Sequence, residues 1–164
     1  MRFGKIALAM ALTLLAGGLW AGEPLRVYKG TSSSWSDVIL SYQDGRWYKG
    51  TSSSWSDVLY TCRDNHWYTG TSSSWSDVVL TYRDSRIYRG TGSSWSDVVL
   101  TYRDSRIYRG TSSSWSDVAF TYKDNRLYRG TSSSWSDVML TFSGKLSPGE
   151  LMGLVYFLFR AECL

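Results

Sequence analysis

The sequence predicts an all-β tandem-repeat array: six 20-residue two-stranded units rolled into a closed hairpin meander, with a short C-terminal capping helix. Three observations carry this. The string Gly-Thr-Ser-Ser-Ser-Trp-Ser-Asp-Val recurs from Gly30, Gly50, Gly70, Gly90, Gly110 and Gly130, broken only by Gly92. A fixed period of this kind marks a repeat architecture. Each unit holds two apolar runs rich in β-branched and aromatic residues, joined by a polar turn. The array also opens on half a unit and closes on the complementary half.

The elements follow in order. Residues 1–21 read as a signal peptide: Arg2 and Lys5 supply the positive start, Ile6 to Trp20 are almost wholly apolar, and Ala21 precedes polar sequence. The apolar run is shorter than the roughly 20 residues a spanning helix needs. The expected destination is therefore the periplasm or the outside of the cell, with no stable membrane span after cleavage. Residues 22–26 form a short lead. The repeats occupy 27–146, and 147–164 form a C-terminal segment.

Within a unit, Asp37 to Tyr42 reads as a strand. Gln43-Asp44-Gly45-Arg46 and Arg63-Asp64-Asn65-His66 read as hairpin tips, because Asp, Asn and Gly tolerate the left-handed backbone of tight turns. Trp47-Tyr48-Lys49 and Ile87-Tyr88-Arg89 are return strands. With Asp44-Gly45 at the tip, Tyr42 lies opposite Trp47 and Leu40 opposite Lys49. Side-chain alternation then puts Val38, Leu40, Tyr42 and Trp47 on the core face, and Ile39, Ser41 and Tyr48 on the other. The Ser-rich stretch is too polar for a buried strand and reads as a structured loop.

The unpartnered ends distinguish two architectures. Val27-Tyr28 could pair with Asp137 to Phe142 and close a ring, removing the open edges that invite aggregation. In the alternative, a β-solenoid, identical residues stack in ladders, and columns of Asp and Arg would repel. After Phe142 the pattern stops. Ser147-Pro148-Gly149-Glu150 is a helix start, with Ser as N-cap, Pro at the first position and Glu three after the cap. The apolar segment Leu151 to Phe159 is expected to cover an exposed core or edge of the array.

Composition limits function. Nine Trp and 12 Tyr are incompatible with disorder, which is poor in aromatics. Without Arg2 and Lys5 the basic residues outnumber the 14 acidic ones by only two, which argues against a nucleic-acid partner. The lone histidine, His66, stands where other units carry Arg46, Arg86, Arg106 and Arg126 and reads as a solvated turn residue. No Gly-x-Ser-x-Gly elbow, phosphate loop or clustered Cys/His zinc pattern occurs, so no catalytic residue, metal or cofactor is assigned. A disulfide between Cys62 and Cys163 is a candidate in an exported chain.

The same groups offered six times suit a scaffold or repeated binding. The candidate ligand-binding loops are Trp35/Asp37, Trp55/Asp57, Trp75/Asp77, Trp95/Asp97, Trp115/Asp117 and Trp135/Asp137. The favoured expectation is that the indoles fold back as loop anchors and the Asp residues brace the loop hydroxyls. The chain is then a structural or display scaffold in the envelope or outside the cell. The alternative is multivalent lectin-like binding, with sugar rings on the indoles and sugar hydroxyls on the Asp carboxylates. Envelope glycan or another surface protein are the corresponding partners.

The unit Ile87-Tyr88-Arg89-Gly90 … Ser96-Asp97-Val98, with the terminal Ser-Pro-Gly-Glu-Leu, resembles bacterial tandem-repeat proteins built on Ile-Tyr-x-Gly and Ser-Asp-Val units. That resemblance implies no particular activity. A looser pattern, Tyr-x-x-x-Ser…Ser/Ala-Asp-Val/Leu, is similar to the septoil-knot domains and implies a closed β array. Tyr42 to Gly50 is similar to half of a MORN repeat, whose Gly-rich other half is missing here.

Overall fold

A computed structural model describes residues 22–160. The leader assigned to 1–21 and Cys163, the partner suggested for Cys62, lie outside the described residues. Twelve strands form one closed antiparallel barrel. They are β1 (Leu25–Lys29), β2 (Val38–Gln43), β3 (Arg46–Lys49), β4 (Val58–Arg63), β5 (His66–Thr69) and β6 (Val78–Arg83), then β7 (Arg86–Arg89), β8 (Val98–Arg103), β9 (Arg106–Arg109), β10 (Val118–Lys123), β11 (Arg126–Arg129) and β12 (Val138–Phe142). One helix, α1 (Pro148–Leu158), follows.

The hairpins have the register the tips dictate. Tyr42 pairs with Trp47 and Leu40 with Lys49. Asp44 and Gly45 both have positive φ, 50° and 75°, as do Asp64 and Asn65 at 51° and 64°, which is the backbone of a two-residue tip matched to strand twist. The ring closes where β1 meets β12, with Val27 opposite Phe142 and Lys29 opposite Leu140. The first strand thus supplies the return strand that the sixth unit lacks. The solenoid alternative is excluded by this antiparallel closure.

The face assignment needs one correction. Val27 pairs with Leu40, but the next residue, Tyr28, pairs with Val38, so Ile39 is an extra residue in a bulge. The same shift recurs at Leu59, Val79, Val99, Ala119 and Met139. A bulge reverses the alternation expected of an unbroken strand. Val38 therefore sits on the outer face with Tyr28. Ile39, Val79 and Met139 pack against the inner cluster, which Val99 and Ala119 join, whereas Leu59 is exposed. The barrel wall consequently has two apolar layers. The inner layer includes Leu80, Ile87, Leu100, Ile107, Phe120 and Leu127, all at 0 % exposure. The outer layer is a girdle of Val and Tyr, such as Val98 and Tyr88, buried beneath the loops.

The helix does not lie over an edge; it fills the barrel. Eight strands leave an interior that side chains alone can fill, and diameter grows with strand number. Twelve leave room for a helix, about 10–12 Å across with its side chains. Residues Leu151 to Tyr156 are all buried within the cluster formed by the inward-facing strand residues. A helix surrounded by strands must be apolar on every side, as this one is. Its start is fixed at the hairpin rim. Ser147 Oγ accepts from the Glu150 N–H at 3.3 Å, and Glu150 Oε2 accepts from the Ser147 N–H at 2.8 Å, a reciprocal capping box. Tyr42 donates its hydroxyl proton to the other carboxylate oxygen.

One helix cannot sit symmetrically among six units. Its backbone runs closest to β6, β7 and β8. The neighbouring strands β3 and β5 send in Trp47 and Trp67, stacked at 6.1 Å and each only 1 % exposed. The equivalent inward slot holds Ile87, Ile107, Leu127 and Val27 elsewhere. Gly153 is required here, since a Cβ would lie 2.1 Å from Trp67 Cε2.

Candidate functional site

The loop between each odd strand and the even strand that follows it is built the same way in five of the six units. Gly50 takes φ +56°, and its N–H donates to Ile39 O at 2.9 Å, which turns the chain back over the outer wall. Ser52 Oγ donates to Asp57 Oδ2 at 2.6 Å and accepts from the Ser54 N–H at 3.0 Å. Trp55 to Asp57 then form a single 3₁₀ turn leading into the next strand. In the one loop that lacks the first hydroxyl, at Gly92, Asp97 Oδ2 takes the Ser94 N–H directly at 3.2 Å.

The loop carboxylates brace their own loops, the role expected of them if the loops are structural. Asp37, Asp57, Asp77, Asp117 and Asp137 each accept a Ser hydroxyl of their own loop through Oδ2, and Asp97 accepts a backbone N–H. Asp77 is the most fully committed of the six. Its Oδ2 accepts from Ser72 Oγ at 2.6 Å, and its Oδ1 accepts from Ser76 Oγ at 3.4 Å. A carboxylate spent on its own loop hydroxyls would have to release them before it could hold those of a sugar. The physical reason is spacing: Ser and Asp five residues apart meet once the intervening Trp-Ser-Asp turn tightens.

The indoles are not anchors. Trp35, Trp55, Trp75, Trp95, Trp115 and Trp135 are 60–62 % exposed, which overturns the expectation that they fold back into the wall. Full burial of a Trp removes about 150–250 Å² from water. At about 25 cal/mol per Å², leaving three-fifths outside forgoes roughly 2–4 kcal/mol per ring. The reason lies in the outer girdle: Tyr and Val already occupy the space that the indole would need. Each ring is held instead by a basic neighbour from the preceding strand. The guanidinium carbons of Arg26, Arg46, Arg86, Arg106 and Arg126 lie 4.4–4.7 Å from the Trp ring centroids of their units. His66 takes the place of Arg in its unit, its ring edge-on to Trp75 at 5.0 Å. It opens β5 and contacts the Asp64 carbonyl through Nδ1 at 2.7 Å, so it is a strand residue with a ring partner and not a free turn residue. A cation over an exposed ring contributes about 0.5–1 kcal/mol, less than the burial forgone.

Between successive loops the outer wall is concave. A cleft of about 270 Å³ lies between the Trp95 loop and the next. Arg86 and Trp95 form one wall; Arg103 and Tyr108, with Thr111, Ser112 and Ser113 of the following loop, form the other. Tyr108 is buried beneath Arg103, whose guanidinium carbon is 6.0 Å from its ring. The repeat register carries the Trp, the Tyr and most of the hydroxyls to each of the six junctions, while the charged positions vary. The site thus combines one exposed aromatic face, guanidinium donors and several hydroxyls, which together fit a polar ligand with an apolar face. The Trp of this site is legible in the sequence. The Arg at the head of each return strand is not singled out there, although that basic slot recurs every 20 residues.

The sequence model of a family described as 6-fold beta flower protein matches residues 24–154. The chain belongs to the 6-fold beta flower family. The match spans the whole barrel and most of α1, so the flower includes its central helix. No curated protein and no solved structure matches the chain.

Two further features of the flower lie away from the clefts. Cys62 is partly buried at the hairpin rim, opposite Trp67 in the ladder. Burial first, and then the nearby Glu150 carboxylate, push its thiol up to about 12. The Tyr42 phenol is likewise held well above its ordinary value, mainly by burial and then by its bond to Glu150. Among the described residues, no group of three His, Cys, Asp or Glu is placed to hold a metal ion. No described helix is long and apolar enough to cross a membrane, and the strands have four to six residues where a membrane-crossing strand needs about 9–11.

Proposed function

We propose that this beta flower is an exported, non-catalytic binding protein whose six inter-repeat clefts hold glycans. The observation that carries the reading is the exposure of six loop indoles, each 60–62 % open, five of them stacked by an Arg and Trp75 met edge-on by His66. A scaffold gains little from indoles in water. A binding ring gains on ligation, because a sugar's C–H face covering an open indole recovers part of the roughly 2–4 kcal/mol forgone on folding. The Arg stack fixes the ring in advance, which lowers the ordering cost of binding. Hydroxyls and guanidinium donors at the cleft walls suit a polyol. Six weak sites on one rim then act together on a polymer that can span them.

Display on the cell surface and glycan capture are compatible, and the first becomes the setting of the second. The test is a titration of Trp fluorescence with a panel of neutral and acidic oligosaccharides. Binding is expected to shift or quench emission and to weaken in steps as loop Trp residues are replaced by Ala. A panel without any shift, or binding unchanged in a variant with all six loop Trp residues replaced, would overturn the reading.

A further inference from the structure

The geometry points to acidic saccharides as the ligands, with three of the six clefts binding tightly. This rests on the glycan reading above and adds charge selectivity and stoichiometry to it. In the cleft beside Trp95 two guanidinium groups, Arg86 and Arg103, line the walls, and no carboxylate does. The loop Asp that might have balanced them is not in the lining and is engaged within its own loop, where Asp117 Oδ2 accepts from Ser112 Oγ at 2.6 Å. Arg46, Arg86, Arg106 and Arg126 form no ion pair among the described residues, and the Nε of each is buried without a hydrogen-bond partner. What holds them is the Trp ring. An unpaired guanidinium fixed by stacking is arranged for bidentate bonding to a carboxylate or sulfate. Arg103 is partly balanced by Asp104 at 3.5 Å, but that pair is exposed and correspondingly weak.

The second cation is not the same in every cleft. By the repeat register, the pairs are Arg46 with Arg63, Arg86 with Arg103, and Arg106 with Lys123. Three junctions are poorer: Arg26 faces Gln43, Arg126 faces Ser143, and Arg83 faces His66 in place of Arg. Three clefts therefore carry two permanent cations and three carry one. The rim that looks sixfold is divided by charge.

The experiment is calorimetric titration of the full chain at low salt with an oligogalacturonate, its methyl ester, a sulfated galactan oligosaccharide, and inorganic sulfate. The two acidic oligosaccharides are expected to bind at least tenfold more tightly than the ester, with about three tight sites per chain and affinity falling as salt rises. Gln43→Arg, an outward substitution at a strand end, is expected to raise the tight sites from three to four, with the melting profile confirming the fold. Equal affinity for acid and ester, or six equivalent tight sites, overturns this inference and leaves the glycan reading standing. Inorganic sulfate binding as tightly as the sulfated oligosaccharide overturns the saccharide part. Binding by none of the four probes overturns the inference; the wider neutral panel and the Trp variants then decide the reading beneath it.

Discussion

The outer wall of the barrel and its interior follow opposite rules. Outside, every unit carries the same Val, Tyr, Trp, Ser and Asp, as in Val98, Tyr108, Trp95, Ser94 and Asp97. Inside, the slot filled by Trp47 and Trp67 becomes Ile87, Ile107, Leu127 and Val27, and the slot of Leu40 becomes Tyr60 and Phe120. A symmetric wall around one off-centre helix cannot have symmetric contents. The interior slots diverge to fill a gap of uneven width, whereas the outer slots meet the same surroundings six times. Divergence between the inward slots thus reports on the helix, and identity between the outward Val, Tyr and Trp slots reports on the wall and loops that frame the clefts.

The comparison can be broken most severely from within. Trp67→Ala removes a ring that is 1 % exposed and stacked on Trp47, and is expected to cost about 3–5 kcal/mol in denaturant unfolding. A loss below 1 kcal/mol would mean that the helix does not need the Trp pair. Gly153→Ala comes next. The added Cβ meets the Trp67 ring, and overpacking of this kind costs about 1–3 kcal/mol, more than offsetting the better helix propensity of Ala. Trp67→Ile, the residue of later repeats, should relieve the clash, so the double variant should be more stable than the sum of the two changes allows.

Alkaline pH probes the rim where helix and wall meet. The folded state holds the Cys62 thiol protonated up to about 12, against an ordinary value of 9.0. Its contribution is therefore fully present below pH 9 and is lost as pH rises toward 12. Tyr42 acts in the same direction above 10.0. The melting temperature should fall through this window, and the fall should be shallower in Cys62→Ala, each protein being referred to its own value at pH 7. The smallest effect on stability lies outside. Trp115→Ala should change stability by no more than about 1 kcal/mol, since it loses mainly one exposed cation–π contact. It should nonetheless remove the quenchable response of its own cleft. A large destabilisation there would return the indole to the role of anchor.

Much of the fold was legible in the chain. The 20-residue period, the Asp-Gly tip and the two half units at the ends dictate hairpins, register and closure. The capping box at Ser147 was equally plain. Three features were not. The bulge at Ile39 leaves no mark, because Val-Ile-Leu reads as an apolar strand whichever residue is extra. The position of the helix depends on barrel diameter, a property of twelve strands together and of no segment. The exposure of Trp35 and its counterparts depends on Tyr and Val having already filled the wall beneath, which a slot-by-slot reading treats as separate positions. The candidate site divided along the same line. The bracing of Asp77 by Ser72 is local, and the loop composition suggests it. The Arg that stacks on five of the six indoles stands nine residues before the Trp and meets it only after the loop has turned back.

The seam between β1 and β12 has a consequence in time. Thr141 Oγ1 donates to Gly30 O at 2.7 Å, across 111 residues of chain. Every other junction between units can form as the chain emerges, but this one waits for the last repeat, and the space it encloses waits longer still for the helix. During synthesis the protein is a string of hairpins with an open edge at each end and an unfilled apolar trough. Non-local closure of this kind is slow and exposes surface that aggregates. The helix is what fills that space, so until Leu151 to Tyr156 are in place the inward-facing residues of twelve strands have no apolar partner at their centre.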